Sequence, residues 1–166
     1  MRSPSLHWRH ESACVTVNAI ELPIPPSYLV EGSSMLPNLA HGQHVIGRPA
    51  SGTAFLIARG DIVALQHPLS EAGVFIKRVI GLPDEFIQLK EDAVYIDERP
   101  LAEPYLDGPP CPENRYARQW ITGPDEYFVM GDNRNDSLDS RNFGPISADC
   151  ILGVVWYRCC PERGLC

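Results

Sequence analysis

The sequence predicts a mostly β fold with many short strands and little helix. Sixteen prolines and thirteen glycines are scattered along the 166 residues, and they divide the chain into short segments. These segments contain runs of Val, Ile, Phe and Tyr, which favour strands, whereas proline and glycine interrupt long helices. A chain of this length with a hydrophobic fraction of 44% suits one folding unit with a core of its own.

Each strand is predicted from a short apolar run that is bounded by turn-forming residues. In chain order, the runs cover residues 15–20, 44–46, 61–66, 74–80, 86–89, 93–96, 127–130 and 151–158. Residues 100–124 are rich in proline and polar side chains, so they are predicted to form a long connection.

Lys77 interrupts the apolar run VFIKRVI at residues 74–80. Because side chains alternate across a strand, Lys77 is expected to share one face with Phe75 and Val79. Burial disfavours the ammonium form and lowers the pKa of a lysine, which makes the amine available as a general base near neutral pH. The alternative is a lysine at a strand edge whose stem alone is covered.

Ser34 lies in the tract VEGSSMLPNL at residues 30–39. Gly32 permits a sharp or positive-φ turn and Pro37 stiffens the exit, so Ser34 is expected on a constrained turn with peptide N–H groups nearby. A serine hydroxyl is a poor nucleophile unless a base activates it, and a neutral lysine can be that base. Ser34 and Lys77 together indicate a hydrolase that does not use histidine, although this tract is also compatible with an ordinary loop.

A third tract, GDNRNDSLDSRNFGP at residues 131–145, follows the strand predicted for residues 127–130. Turn-forming residues dominate it, so it is predicted to be a loop. The loop either braces a site through its many charged groups or is a solvated connection with exposed ion pairs.

In four ordered tracts, residues 30–39, 59–63, 75–83 and 131–145, the chain resembles the type I signal peptidases. These are serine/lysine endopeptidases of the signal peptidase and LexA clan. The resemblance implies a fold of several coiled antiparallel sheets with a small inserted β subdomain. It also implies an enzyme without a cofactor that cleaves signal peptides from exported preproteins after small residues, in the Ala-x-Ala pattern, with the substrate extended along a strand edge.

Carried onto this chain, the resemblance implies that Ser34 is the nucleophile and Lys77 the general base. Ser137 corresponds to the serine that hydrogen-bonds and orients the base. The oxyanion is expected to be held by the backbone N–H of Ser34, with a second backbone donor around Gly32.

The resemblance also implies residues that support these groups. Arg78 with Asp132, and Asp139 with Arg141, correspond to two supporting ion pairs, and Met35 corresponds to a residue that lines the substrate cleft. The chain departs from the family pattern at three places, and none of them removes a proposed catalytic atom. Asp84-Glu85 replaces Gly-Asp after residues 81–83, Asn135-Asp136 replaces Asp-Asn before Ser137, and Asn38 replaces a threonine.

The family pattern divides the chain into four parts. Residues 1–27 form an N-terminal segment, residues 28–84 and 127–158 the catalytic β domain, residues 85–126 an inserted non-catalytic subdomain, and residues 159–166 a Cys-rich tail. Family members normally carry a transmembrane helix before the serine tract. Residues 1–28 contain no run near the roughly 18 apolar residues that a span requires, and no secretory signal.

The resemblance nevertheless predicts an enzyme associated with the membrane surface or with a membrane partner, at the extracytoplasmic face. Three explanations for the missing anchor stay open: a soluble variant, a true start further upstream, or attachment through apolar surface near the cleft. The net charge of −7 argues against nucleic acid as a partner, because phosphate binding requires clustered Lys and Arg.

Cysteine and histidine residues leave the redox state open and predict no metal site. The six cysteines allow fifteen pairings in an oxidising compartment and would be free thiols in the cytosol. Zinc ligands could come only from residues 7, 10 and 14 or from His41 and His44, and Cys-x-x-Cys is absent from the sequence. The six cysteines are Cys14, Cys111, Cys150, Cys159, Cys160 and Cys166.

Three other functions compete with general signal-peptide cleavage. A self-cleaving repressor of the same clan would need a DNA-binding helix-turn-helix and a cleavage site upstream of the serine, and the short N-terminal segment offers neither. A catalytically inactive relative would bind peptides without cutting them. A specialised relative would mature one particular precursor with the same chemistry.

Overall fold

The computed structural model describes residues 25–49, 56–68, 73–90, 93–107 and 117–159. Within these ranges the chain forms two antiparallel sheets, one four-residue helix and one 3-10 turn. The prediction of a mostly β fold with little helix is confirmed.

Eleven strands, numbered along the chain, form the two sheets. They are β1 (Ser27–Leu29), β2 (His44–Pro49), β3 (Ile62–Gln66), β4 (Val74–Gly81), β5 (Phe86–Lys90), β6 (Ala93–Ile96), β7 (Arg99–Pro100), β8 (Arg118–Ile121), β9 (Glu126–Met130), β10 (Ile146–Ser147) and β11 (Ile151–Cys159). The helix α1 spans Ser140–Phe143, and the 3-10 turn spans Ala148–Cys150.

The larger sheet contains seven strands in the order β1-β2-β11-β3-β4-β9-β10. Its pairings are antiparallel, and the register of β11 shifts once against β2 and once against β3. Such irregularities bend a strand and increase its local twist, so this long strand curls the sheet. β4 lies between β3 and β9, and hydrophobic clusters cover it, so most of its side chains are buried.

The smaller sheet has four strands in the order β7-β6-β5-β8 and is formed by residues 86–121. Its alternating residues Ile87, Leu89 and Val94 are fully buried. They join Ile80 and Phe128 of the larger sheet in one hydrophobic cluster, so the two sheets share a continuous core.

Two further hydrophobic clusters lie on the larger sheet, and each includes a residue of β4. One contains Val63, Val79 and Val129, with Phe75 packed against it. The other contains Val30, Met35 and Ile76, and therefore joins the segment after β1 to β4.

The structure corrects the prediction of a long connection over residues 100–124. β8 lies inside that range and pairs with β5, which places Trp120 against Phe128 with ring centroids 4.8 Å apart. Only Trp120 is partly covered in β8, so this edge strand lacks the apolar alternation by which strands are recognised. The strand predicted for residues 15–20 lies outside the described residues.

The three shortest strands, β1, β7 and β10, were not predicted, because two or three residues are too few to show a period of two. None of the helices in the described part of the chain is long and apolar enough to cross a membrane.

Candidate active site

Ser34 is held on a tight turn that connects β1 to β2. The turn begins at Gly32, whose φ of +82° lies in the left-handed region that glycine adopts without strain. Two backbone hydrogen bonds close it, from Leu36 N–H to Ser33 O at 3.0 Å and from Leu39 N–H to Met35 O at 2.8 Å. The Met35 side chain is buried beneath the turn, and this anchors the backbone of the neighbouring Ser34 and fixes the position of its hydroxyl above the core.

Lys77 projects from the middle of β4 toward this turn. Its Nζ donates a hydrogen bond to Ser34 Oγ at 2.8 Å and a second one to the Ile76 carbonyl at 3.1 Å. The residue is only 4% exposed, and its Nζ lies 5.2 Å from the centre of the Phe75 ring. This burial excludes the alternative of a solvated amine at a strand edge.

The surroundings of Lys77 favour the neutral amine. Desolvation by burial lowers the pKa of Lys77 to about 8, while the carboxylates of Asp139 and Asp132 oppose this shift by favouring the ammonium form. A substantial fraction of the amine is therefore uncharged at mildly alkaline pH, as proton acceptance from a hydroxyl requires.

Ser137 lies behind the hydrogen-bonded pair of Ser34 and Lys77 in a crowded position. Its hydroxyl oxygen is buried and makes no well-formed hydrogen bond among the described residues, although it lies near enough to the Asp139 carboxylate to help lower the pKa of that group. The bond to Lys77 that the family resemblance implies is therefore not formed in this structure. A Cβ on Gly131 would lie 2.5 Å from Ser34 O and 2.6 Å from Ser137 Cβ, and closer still to the Ser137 hydroxyl. Glycine at position 131 therefore allows both serines to approach this backbone.

The two proposed oxyanion donors differ in their hydrogen bonding. Within the described part of the chain, no acceptor is found for the N–H of Ser34, so this group is available to a ligand. The N–H of Gly32 instead donates to Nδ1 of His41 at 3.1 Å. Gly32 could therefore serve as the second donor only after its bond to His41 is released.

Arg78 and Asp132 form a buried bidentate ion pair beneath the site. Arg78 donates from Nε to Oδ1 at 2.8 Å and from Nη2 to Oδ2 at 2.6 Å, and its Nη1 reaches Gly60 O at 2.7 Å. Asn38 Nδ2 donates to Asp132 Oδ2 at 2.9 Å and to Tyr105 O at 2.8 Å. A threonine has one hydroxyl proton and could not make both bonds, so Asn38 has a distinct structural role here.

Asp139 and Arg141 form the second ion pair, with Arg141 Nε 2.9 Å from Asp139 Oδ1. Asp139 is fully buried, caps α1 and accepts the N–H of Gly131 at 2.9 Å. Burial alone would raise the pKa of Asp139, but the bonds from Arg141 and Gly131 outweigh it and hold the pKa below its ordinary value. The carboxylate thus fixes the backbone next to Ser137.

A cleft of about 310 Å³ opens in front of the dyad. One wall is the turn with Met35 at its base, the other is the first half of β4, and Leu138 lies at the rim. Ser33 closes one end by donating its hydroxyl proton to the carboxylate of Asp136.

β4 presents an unpaired edge to this cleft. Its residues from Val74 onward pair with β3, but its pairing with β9 starts only at Arg78. On the cleft side, residues 74–77 therefore have no strand partner in the described part of the chain.

Residues 10–159 match the family model described as signal peptidase, peptidase S26. The chain belongs to the signal peptidase family. As a member, it is a serine peptidase that cleaves signal peptides, and the self-cleaving repressor is not its function.

Curated signal peptidases from bacilli are similar over most of their length. The chain is 35% identical to signal peptidase I of Bacillus amyloliquefaciens over 92% of this chain and 85% of that protein. It is 39% identical to signal peptidase I T of Bacillus subtilis (strain 168) over 76% of this chain and 69% of the relative. A crystal structure of a signal peptidase I from Enterococcus faecalis V583 superposes with a TM-score of 0.54 at 30% identity, and covers 63% of this chain and all of that one.

Two residues of this signal peptidase that contact Arg134 and Arg78 gave no signal in the sequence. Glu103 and Tyr105 fall in the predicted connection, yet both pack against residues that support the dyad. Glu103 forms a buried ion pair with Arg134, which is 31 positions away, and such a distant pair leaves no local pattern in the sequence.

Among the described residues, no group of three or more His, Cys, Asp or Glu is placed to hold a metal ion. His41 is engaged with Gly32, and residues 7, 10 and 14 lie outside the described ranges. Cys150 is a half-buried free thiol.

Proposed function

We propose that the chain is an endopeptidase in which Ser34 is the nucleophile and Lys77 the general base. The observation that supports this proposal is the 2.8 Å hydrogen bond from Lys77 Nζ to Ser34 Oγ, combined with burial that lowers the pKa of Lys77 to about 8. A lysine can activate a hydroxyl only when it is uncharged and within hydrogen-bond distance. The distance is suitable here, and the lowered pKa leaves a fraction of the amine uncharged near neutral pH and most of it uncharged above pH 8.

The proposed reaction begins with transfer of the Ser34 hydroxyl proton to neutral Lys77 as Oγ attacks the scissile carbonyl. The N–H of Ser34 stabilises the oxyanion, and the Gly32 N–H joins it once it leaves His41. Lys77 then gives its proton to the leaving amine as the acyl-enzyme forms. The leaving amine is the N-terminus of the mature protein, and the acyl group on Ser34 is the signal peptide. Water then repeats the sequence on the ester, which restores Ser34 and releases the signal peptide as a carboxylate.

In this scheme Ser137 orients the base after a small rotation of its side chain. Its buried hydroxyl makes no well-formed hydrogen bond in this structure and interacts only weakly with the Asp139 carboxylate. A bond to Lys77 would satisfy it. The ion pairs of Arg78 with Asp132 and of Asp139 with Arg141 keep the surrounding backbone in place.

The substrate is proposed to lie extended against the free edge of β4, where main-chain hydrogen bonds supply affinity. Alternate side chains of such a peptide point into the cleft, whose base is formed by Met35 and Ile76. An apolar base of this kind fits small apolar residues, in keeping with cleavage after an Ala-x-Ala sequence.

We place this activity at the membrane surface, on its extracytoplasmic face. Three large apolar side chains that line the cleft, Leu29, Val74 and Leu138, are 43% or more exposed. Apolar side chains around a cleft entrance can contact the lipid interface in which an apolar signal peptide lies.

Two substitutions test the chemistry on a purified preprotein with an Ala-x-Ala cleavage site. Ser34→Ala and Lys77→Met are each expected to reduce the cleavage rate by at least about 1000-fold, because neither group can act without the other. Lys90→Met is the matched control, since Lys90 lies in the small sheet against Tyr95 and is expected to leave the rate unchanged.

Undiminished cleavage by both variants would refute the proposed dyad. A wild-type protein that binds the preprotein but never cuts it would instead favour the peptide-binding alternative. Cleavage of one precursor among many that carry Ala-x-Ala sites would favour the specialised alternative.

A further inference from the structure

The segment that follows β7, residues 101–107, leaves the small sheet and lies against the loop that carries Ser137. Leu101 and Tyr105 pack on the shared hydrophobic cluster, and this anchors both ends of the turn between them. The segment belongs to the inserted part of the chain, for which the family pattern implies no catalytic role. Its polar contacts nevertheless lead toward the dyad.

Glu103 is the centre of these contacts. Its carboxylate accepts two hydrogen bonds from the guanidinium of Arg134, one of them from Nη1 at 3.1 Å, and a third from the Tyr105 hydroxyl at 2.7 Å. The side chains of Arg134 and Glu103 are 3% and 1% exposed. A buried ion pair with this number of hydrogen bonds has one well-defined geometry, because any displacement leaves a buried charge unpaired.

Arg134 transmits this geometry to Gly131. Its Nε donates to Gly131 O at 3.0 Å, while the N–H of the same glycine is held by Asp139 at 2.9 Å. Gly131 is therefore fixed from both sides. Since its Cα lies directly against Ser137 and the carbonyl of Ser34, a small shift of Gly131 displaces both serines.

Tyr105, which is hydrogen-bonded to Glu103, provides a second connection. Its ring lies under the guanidinium of Arg78, 4.0 Å from the centroid, and its carbonyl accepts from Asn38 at 2.8 Å. Arg78 directly follows Lys77 in β4, and Asn38 is four residues after Ser34. One short segment therefore contacts both parts of the chain that carry the proposed dyad, the turn with Ser34 and the strand β4 with Lys77.

We propose that Glu103 is a positioning residue for signal-peptide cleavage, acting through Arg134 and Gly131 on Ser137 and Ser34. The inference rests on the proposed dyad. It predicts that removal of Glu103 loosens the serine geometry and lowers kcat, while the peptide-binding edge of β4 is untouched and KM changes little.

The test compares Glu103→Ala with Glu85→Ala. Glu85 is a matched control, because it also accepts two hydrogen bonds from one arginine, Arg59. In the described part of the chain its other hydrogen bonds that involve a side chain are with Leu82 and Thr122, not with the Ser137 loop. Cleavage of an Ala-x-Ala peptide is measured well below the Tm of each variant. For Glu103→Ala we expect kcat to fall by about 10- to 100-fold, the range that follows from a displacement below 1 Å, with KM within about threefold of wild type.

Three further readouts separate positioning from general destabilisation. Glu85→Ala is expected to lower Tm but to leave kcat within about twofold of wild type. Glu103→Gln keeps an acceptor of the same shape and should recover part of the lost kcat. The midpoint of the acid limb of the pH–rate profile should not move, because Glu103 acts on geometry rather than on the charge of Lys77.

The inference is overturned if Glu103→Ala keeps the wild-type kcat while its Tm falls, or if Glu85→Ala loses as much kcat as Glu103→Ala. If Glu103→Ala does not fold, Glu103→Gln is judged against Glu85→Gln by the same criteria. Wild-type protein that fails to cleave refutes the proposed function itself. Wild-type cleavage with an undiminished kcat in the Glu103 variants refutes only this inference.

Discussion

Lys77 Nζ lies 2.8 Å from Ser34 Oγ although the two residues are 43 positions apart in the sequence. The distance is fixed by packing, because Met35 and Ile76, their immediate neighbours, belong to the same buried cluster. Packing of Met35 against Ile76 in this cluster therefore holds the turn next to β4, and this places the Lys77 amine within hydrogen-bond distance of the Ser34 hydroxyl.

The first prediction concerns the pH dependence of cleavage. Protonated Lys77 cannot accept the Ser34 proton, and its pKa is lowered to about 8. We therefore expect kcat/KM to rise with pH and to level off above pH 8, with a fall of about tenfold per pH unit below that value. The measurement is the initial rate on an Ala-x-Ala peptide from pH 6 to pH 10 at constant ionic strength. A flat profile across pH 8 would contradict the assignment of Lys77 as the base.

The second prediction concerns stability. The pKa of Lys77 is about 8 in the folded chain, whereas a lysine in the unfolded chain has its ordinary pKa of 10.5. Between pH 8 and pH 10.5 the unfolded chain therefore binds more protons than the folded chain. The free energy of unfolding should therefore rise with pH across this window. Below pH 8 both states carry the proton, and the full penalty for the buried charge, roughly 3 kcal/mol, is present.

Lys77→Met removes this penalty and has a similar volume. We expect the variant to be more stable than the wild type at pH 7, with a difference that shrinks by roughly 3 kcal/mol as the pH rises from 7 to 10.5. Other titrating groups cancel because they are common to both proteins. The measurement is urea unfolding of both proteins at each pH. If the difference in the free energy of unfolding between the two proteins stays constant over this pH range, Lys77 is not a buried charge at neutral pH.

The sequence predicts the strands that form clear apolar runs. β3 and β4 are continuous runs that are buried throughout most of their length, and β5 and β6 alternate between buried and half-buried side chains. β8 was not predicted, because Trp120 is its only partly covered residue. The role of the segment around Glu103 was not predicted either, because its contacts join distant parts of the chain. The closeness of Ser34 and Lys77 could not be derived from spacing, since strand register over such a separation depends on the whole core. It was expected only because the tracts around both residues resemble a known family.

The third prediction tests the backbone at Asp84, where the chain departs from the glycine of the family pattern. Asp84 is exposed and has a φ of +59°, and its N–H donates to Gly123 O at 3.2 Å. A β-branched side chain is disfavoured there, so Asp84→Val should lower the free energy of unfolding by about 1–2 kcal/mol. Asp84→Gly and Asp84→Asn should lie within about 0.5 kcal/mol of wild type. Equal stability of the valine and glycine variants in urea unfolding would show that this turn has another conformation.

The last prediction concerns Gly131, which lies between the two serines of the site. An added methyl group would be 2.5 Å from Ser34 O and 2.6 Å from Ser137 Cβ, and backbone cannot yield as the end of a flexible side chain can. We expect Gly131→Ala to cost about 1–3 kcal/mol of stability through overpacking. We also expect it to lower kcat/KM by about 100-fold, because the Ser34 hydroxyl moves relative to Lys77.

Gly123→Ala is the control for Gly131→Ala. A methyl group there would meet only the end of the flexible Glu126 side chain, at 3.3 Å, and position 123 lies in the turn between β8 and β9, outside the cleft. Its activity should therefore equal that of the wild type. Thermal unfolding and peptide cleavage are measured on both variants, with the rates taken well below Tm. If Gly131→Ala folds and cleaves at the wild-type rate, the contact between Gly131 and the two serines does not determine the geometry of the dyad.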